Sequence, residues 1–125
     1  MFARLKDGVS KGELSVDNLD DTIKNLQQEV DKLKAQGVNK IILLSHSGYT
    51  NDVKLAQQTR GIDVILGGHS HDLIKDVKEG KNLFYNLDNE PVVITQAGKD
   101  GEYFGILNLE FDDKGLIKSV QNNVI

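Results

Sequence analysis

The chain has 125 residues, 38% of them apolar, with 12 glycines and no cysteine. That is long enough to bury one core without disulfide or thiolate–metal staples. A formal net charge of −4 and a pI near 5.3 exclude nucleic acid or an anionic membrane surface as partners attracted by bulk charge. No stretch reaches membrane-spanning length, and the N-terminal "MFARLKDGVSKGEL" has no apolar run like a signal peptide.

Residues 1–15 read as irregular, with Gly8 and Gly12. A helix is expected over 16–36, because Leu19, Ile23, Leu26, Val30 and Leu33 are spaced 4, 3, 4, 3 and form one apolar stripe. Ser15 or Asp17 can cap its start and Gly37 can end it. The stripe packs onto a sheet or against another helix.

"NKIILLSHSG" follows. Ile41 to Leu44 is an uninterrupted apolar run of strand length, as expected for a strand buried on both faces. Thr50 or Asn51 can cap a second helix, which runs to about Thr59 before Gly61. "IDVILGG" is then a second buried strand. Strand, helix and strand joined by short links imply a parallel, right-handed β-α-β unit over 38–71.

Beyond His71 the pattern changes. Residues 82–123 contain short β-rich pieces divided by turn signals at Asp88-Asn89-Glu90-Pro91, Gly98-Lys99-Asp100-Gly101 and Asp112-Asp113-Lys114-Gly115. Leu107, Leu109 and Phe111 alternate with Asn108 and Glu110, so antiparallel hairpins with one wet face are expected. Pro91 sits at a strand start, where it is tolerated. The whole chain, 1–125, reads as a single α/β domain.

Chemistry concentrates where the two parallel strands end. Ligands of open α/β sheets bind beyond the carboxyl ends of strands. There "IILLSHSG" presents His46, and "VILGGHSHDLI" presents His69 and His71, which are all the histidines in the chain. Neighbouring strand ends lie roughly 5 Å apart, or about 10 Å with one strand between, so the three imidazoles can reach one cluster. Gly67 and Gly68 allow a sharp turn or close approach to a ligand. Ser70 separates two side chains that point the same way if the loop is extended. Imidazole is a nitrogen ligand for zinc and suits iron, copper and nickel as well. Three can hold one zinc with a position left for water. Zinc, manganese or iron at such a site polarises a phosphoryl oxygen and generates hydroxide near neutral pH.

Plainer readings stand beside these. His46 alone suits a hydrogen-bonded structural residue, and Gly67-Gly68 alone suits a turn. Of the acids, Asp52, Asp63, Asp72 and Asp100 are available, but none follows a strand end in a metal-bridging pattern. Asp63 reads as a strand-start residue. Asp72 is either a partner to a ligand imidazole or a solvated loop acid. Lys99 reads as a turn residue that a phosphate can approach, and Tyr49 either lines the site or packs.

"GVNKIILLSHSGYTNDVKLAQQTRGIDVILGGHSHDLI" and the later "PVVITQAGKDGEYFGILNLEFDDKG" resemble the closing part of the catalytic domain of the 5′-nucleotidase family of calcineurin-like metallophosphoesterases, which includes UDP-sugar hydrolases and 2′,3′-cyclic phosphodiesterases. The match runs over about residues 30–115, and the paired signatures SHxGY and GIDVIxGGHSH carry it. The resemblance implies a partial four-layer αββα sandwich and a two-metal site. In it His46 and His69 ligate one ion and His71 the other, although some relatives place an amide at the position of His71. It also implies a nucleotide or other phosphate-ester substrate and a periplasmic or extracellular setting.

The family's earlier motifs, Asp-x-His, Gly-Asp-x-x-Asp and Gly-Asn-His-Glu, do not occur in these 125 residues. The chain therefore resembles the second half of a catalytic domain. No catalytic residue is assigned, and negligible nucleotidase activity is expected of the chain alone. Two further readings stay open. One is a non-catalytic assembly module, a homodimer or swapped assembly that follows from exposed sheet edges and is expected through the helix near residues 17–35. The other is a one-metal hydrolase built on His46, His69 and His71.

Overall fold

The computed structural model describes residues 18–125. Ser15, Asp17 and the irregular stretch 1–15 lie outside them. Helix α1 spans Leu19–Ala35 and is capped by Asn18, whose side chain accepts the Asp21 backbone N–H at 3.3 Å. Asp20 and Asp21 in the first turn and Lys32 and Lys34 in the last complement the helix dipole. The helix ends as expected at Gly37, which takes φ +87° and donates its N–H to the Lys34 carbonyl.

The stripe read from the sequence is the packing face. Leu26 and Val30 are fully buried, and Leu19, Ile23 and Leu33 pack around them. Helix α1 lies beside the second helix, α2 (Tyr49–Gln58). It is tied to the turn after α2 by Gln27, which accepts the Arg60 N–H and donates to the Arg60 carbonyl.

Strands β1 (Ile42–Leu44), β2 (Val64–Leu66), β3 (Leu83–Tyr85) and β4 (Pro91–Thr95) form one sheet in the order β1-β2-β4-β3. β1 and β2 are adjacent and parallel, with Leu43 opposite Ile65. β4 is also parallel to β2 and is antiparallel to β3. "PVVIT" is thus both half of a hairpin and a central strand of the main sheet, which the hairpin expectation alone did not give. Its residues Val92, Val93 and Ile94 are fully buried.

Two faces follow from the register. Leu43, Ile65 and Ile94 share one row and join α1 and α2 in the main core. Val64 and Val93 lie in the neighbouring row on the opposite face and are also fully buried. On that side runs a separate two-stranded antiparallel sheet, β5 (Gly105–Phe111) with β6 (Ile117–Val124). Its anchors are the Asn122 amide on the Ile74 carbonyl at 2.7 Å and Gly115 lodged against the backbone of Asn39. Leu107, Leu109 and Phe111 turn inward and are half-buried, alternating with exposed Asn108 and Glu110.

β1 departs from expectation. Only Leu43 is buried, while Ile42 and Leu44 are 53% and 51% exposed. β1 is an edge strand, and nothing among the described residues covers its second face as β5 and β6 cover Val64 and Val93.

Candidate metal-binding site

The C-terminal ends of β1 and β2 lie side by side, since Ser45 donates its N–H to the Leu66 carbonyl at 2.9 Å. Each strand releases its chain into a histidine-bearing turn at the same end of the sheet. His46 and His69 meet there edge-on, with ring centroids 5.3 Å apart and ring planes at 74°. Two imidazoles bound to one tetrahedral ion at about 2.1 Å would place their centroids roughly 5 Å apart, a separation that edge-to-face ring packing also gives.

His71 does not join them. Among the described residues no group of three or more His, Asp or Glu side chains is spaced to hold a metal ion. The one-metal, three-histidine alternative therefore has no geometry behind it. The loop is not extended either. His69 and His71 have φ of +78° and +63°. Non-glycine residues hold that left-handed region at a cost and cluster at functional sites.

The turns are fixed from below. Asp52, in the first turn of α2, is fully buried. Its Oδ1 accepts the hydroxyls of Ser45 and Ser47, at 2.5 and 2.8 Å, and these residues flank His46. Burial pushes the Asp52 carboxyl above the ordinary carboxylate range, against the two serine hydrogen bonds and the neighbouring His46, which act to lower it. Gly67 and Gly68 are required by close packing. A Cβ at Gly67 would fall 2.5 Å from Asp52 Oδ2, and one at Gly68 would fall 2.9 Å from His46 Nδ1.

The His69–His71 turn has its own clamp. Gln96, at the end of β4, accepts the Asp72 N–H at 2.7 Å and donates to the Gly68 carbonyl. Ser70 accepts the Tyr49 N–H at 3.0 Å and donates to the Asp72 carboxylate. Asp72 is thus a loop clamp rather than a purely solvated acid. Tyr49 packs on the core and donates its hydroxyl to the Lys81 carbonyl.

Other expected residues take plainer places. Asp63 precedes β2, as read, and accepts the Ile41 N–H at 2.8 Å. Lys99 pairs with its neighbour Asp100 in an exposed turn. Helix α2 starts after Gly48 without a side-chain cap; Thr50 lies within it, and Asn51 instead donates to the Ser47 carbonyl. Gln96 is the site residue that motif reading passed over, and Asp52 was weighed only as a metal-bridging acid. Asp52 carried a signal, a lone acid a few residues past the histidine turn on an expected helix, whereas Gln96 carried none.

No family model matches the chain. Over 115 residues it is 44% identical to a 5′-nucleotidase of Mus musculus, an alignment covering 85% of this chain and 20% of that protein. It is 40% identical to a snake venom 5′-nucleotidase of Naja atra over 84% of the chain and 22% of that protein. Among solved structures, a 5′-nucleotidase precursor from Thermus thermophilus matches with a TM-score of 0.75 and 34% identity, over 82% of this chain and 22% of that one. The NAD nucleotidase of Haemophilus influenzae matches with a TM-score of 0.71 and 32% identity, over 79% and 19%. The chain spans about a fifth of the length of the curated relatives it matches.

Proposed function

Because the chain belongs to the 5′-nucleotidase family over that fifth of its relatives' length, we propose that it is the segment of a metal-dependent phosphoesterase that supplies imidazole ligands from the ends of β1 and β2. The intact enzyme would hydrolyse phosphate esters of nucleotides by attack of water. The observation that carries this reading is the edge-on approach of His46 and His69 at 5.3 Å, on turns fixed by buried polar groups.

His46 and His69 would hold one divalent ion, zinc, manganese or iron, and His71 would face a second. Such an ion supplies polarisation of a phosphoryl oxygen and an acidified water. The two rings would meet the ion from turns already held in place, which would spare part of the ordering cost at the moment of binding. No side chain here is assigned as acid for the leaving group, so the chain alone is expected to lack nucleotidase activity. Further ligands would come from beyond these residues.

The test is a Zn²⁺ and Mn²⁺ titration of the 125-residue chain, followed through the histidine side-chain NMR signals. Stoichiometric shifts of His46 and His69 together support the reading. Silence of both at submillimolar metal removes it. Saturable AMP turnover by the chain alone, abolished in His69→Ala, would overturn the expected inactivity.

A second reading rests on Ile42 and Leu44, apolar side chains exposed on an edge strand. Such an edge pairs with another chain. This favours an assembly module, a homodimer or strand-swapped pair, and sedimentation against concentration tests it. For setting, no helix among the described residues is long and apolar enough to cross a membrane.

A further inference from the structure

Asp52 is hard to explain as a stabilising residue. Its side chain is fully buried, and Oδ2 accepts no hydrogen bond from the described residues. A buried carboxylate with an unmatched oxygen is costly. The start of α2 offsets part of that cost, since the N-terminal dipole favours negative charge. The other oxygen is committed to one task, gripping Ser45 and Ser47 on either side of His46. The Ser47 N–H also reaches Ser45 Oγ, at 3.3 Å, closing the turn on itself.

The unmatched oxygen points at the other turn. It takes the space where a side chain at Gly67 would begin, and Gln96 Nε2 would lie 3.2 Å from that same point. Gln96 is the clamp of the His69–His71 turn. One buried carboxylate thus sits where the supports of both histidine turns converge.

We infer that Asp52 is the positioning residue that sets the His46 imidazole against His69, acting through the hydroxyls of Ser45 and Ser47. Its side-chain hydrogen bonds among the described residues go to those serines and to neither ring. The inference rests on the proposed metal reading only for its purpose, because the ring arrangement is measurable without metal.

The experiment uses the 125-residue chain and its Asp52→Ala and Asp52→Asn variants, with zinc alone as probe. Metal-free protein is examined for the cross-ring NMR contact between His46 and His69, and Zn²⁺ affinity is measured by calorimetry. Asp52→Ala is expected to lose the ring contact and to bind Zn²⁺ about 10- to 100-fold more weakly, the range for losing a group that orients a ligand. Asp52→Asn keeps an oxygen that accepts both hydroxyls, so it is expected to keep the ring contact and most of the affinity. An intact ring contact in folded Asp52→Ala overturns the inference, as does equal loss in Asp52→Asn. If Asp52→Ala does not fold, the Ser45→Ala/Ser47→Ala double variant carries the same two outcomes. Wild-type chain that shows the ring contact but binds no zinc removes the metal reading and leaves the positioning role standing.

Discussion

His46 and His69 stand edge-on, 5.3 Å between ring centroids, on turns that leave two hydrogen-bonded parallel strands at the same end of the sheet. The contact joins residues 23 positions apart in sequence. The β1–β2 register brings the two turns together. If the pair is a half-built metal site, the histidines should contribute unequally. His46→Ala and His69→Ala should each weaken Zn²⁺ binding about tenfold or more, at least what losing an orienting partner costs. His71→Ala should change it little, because His71 stands apart from the pair. Calorimetry with Zn²⁺ ranks the three variants, and an effect of His71→Ala as large as that of His69→Ala would refute the pairing.

Asp63 gives a pH-dependent prediction. Burial pushes its carboxyl from 3.8 up to about 6, against the opposing hydrogen bond from the Ile41 N–H, with Glu90 adding to the rise. The folded protein therefore holds this proton more tightly than the unfolded chain. The associated stability is fully present below about pH 4 and is lost as pH rises through about 6. Above that, the buried charge costs on the order of 2–3 kcal/mol. Asp63→Asn keeps an acceptor for Ile41 and removes the charge. Urea unfolding at steps from about pH 4 to about pH 7 should show the variant gaining on wild type as pH rises. A constant difference across that range would show that Asp63 is not the titrating group.

Gly67→Ala should be destabilising and should also disturb the site. Its Cβ would meet Asp52 Oδ2 at 2.5 Å, and that oxygen belongs to a buried side chain with little room to retreat. Overpacking of this kind costs about 1–3 kcal/mol. Gly105→Ala is the control, because a Cβ there meets only the Ala97 Cβ, at an ordinary contact distance of 3.6 Å. Thermal unfolding of both, with the His46 side-chain signal as local probe, should show a shifted His46 only in Gly67→Ala.

The parts of this architecture readable in advance are those set by periodicity and by strand ends. The 4-3-4-3 stripe of α1 gave its buried face, and the two apolar runs gave parallel strands ending in histidine, whose adjacency only the register settles. Burial of β1 was misread, because Ile41 to Leu44 is as apolar as a doubly covered strand. Coverage is a property of the neighbouring layer, which a short apolar run does not encode. β4 was placed only among hairpins, because its pairing with β2 joins Val64 to Val93 across the intervening chain and leaves no local signature. Gln96 escaped for the same reason, since a Gln after a strand is ordinary until its contacts across the sheet are known. Asp52 stood out only as a lone acid past the histidine turn, and its role lies in the turn it grips.

The exposed edge of β1 supports a last prediction. Ile42 and Leu44 together present an apolar strip beside a strand edge that no described strand pairs with, on the face that β5 and β6 cover only farther along the sheet. Natural edge strands suppress pairing with charge, often lysine, and neither position carries one. Association through this strand should make the sedimentation coefficient of the chain rise with concentration. Ile42→Lys/Leu44→Lys should return it to a constant value. Thermal stability at low protein concentration should change little, because both side chains are already half in water. A wild-type chain that sediments as a monomer at every concentration would mean the strip is inert toward its own kind. The assembly reading would then fail, and the exposed face would need a different chain to cover it.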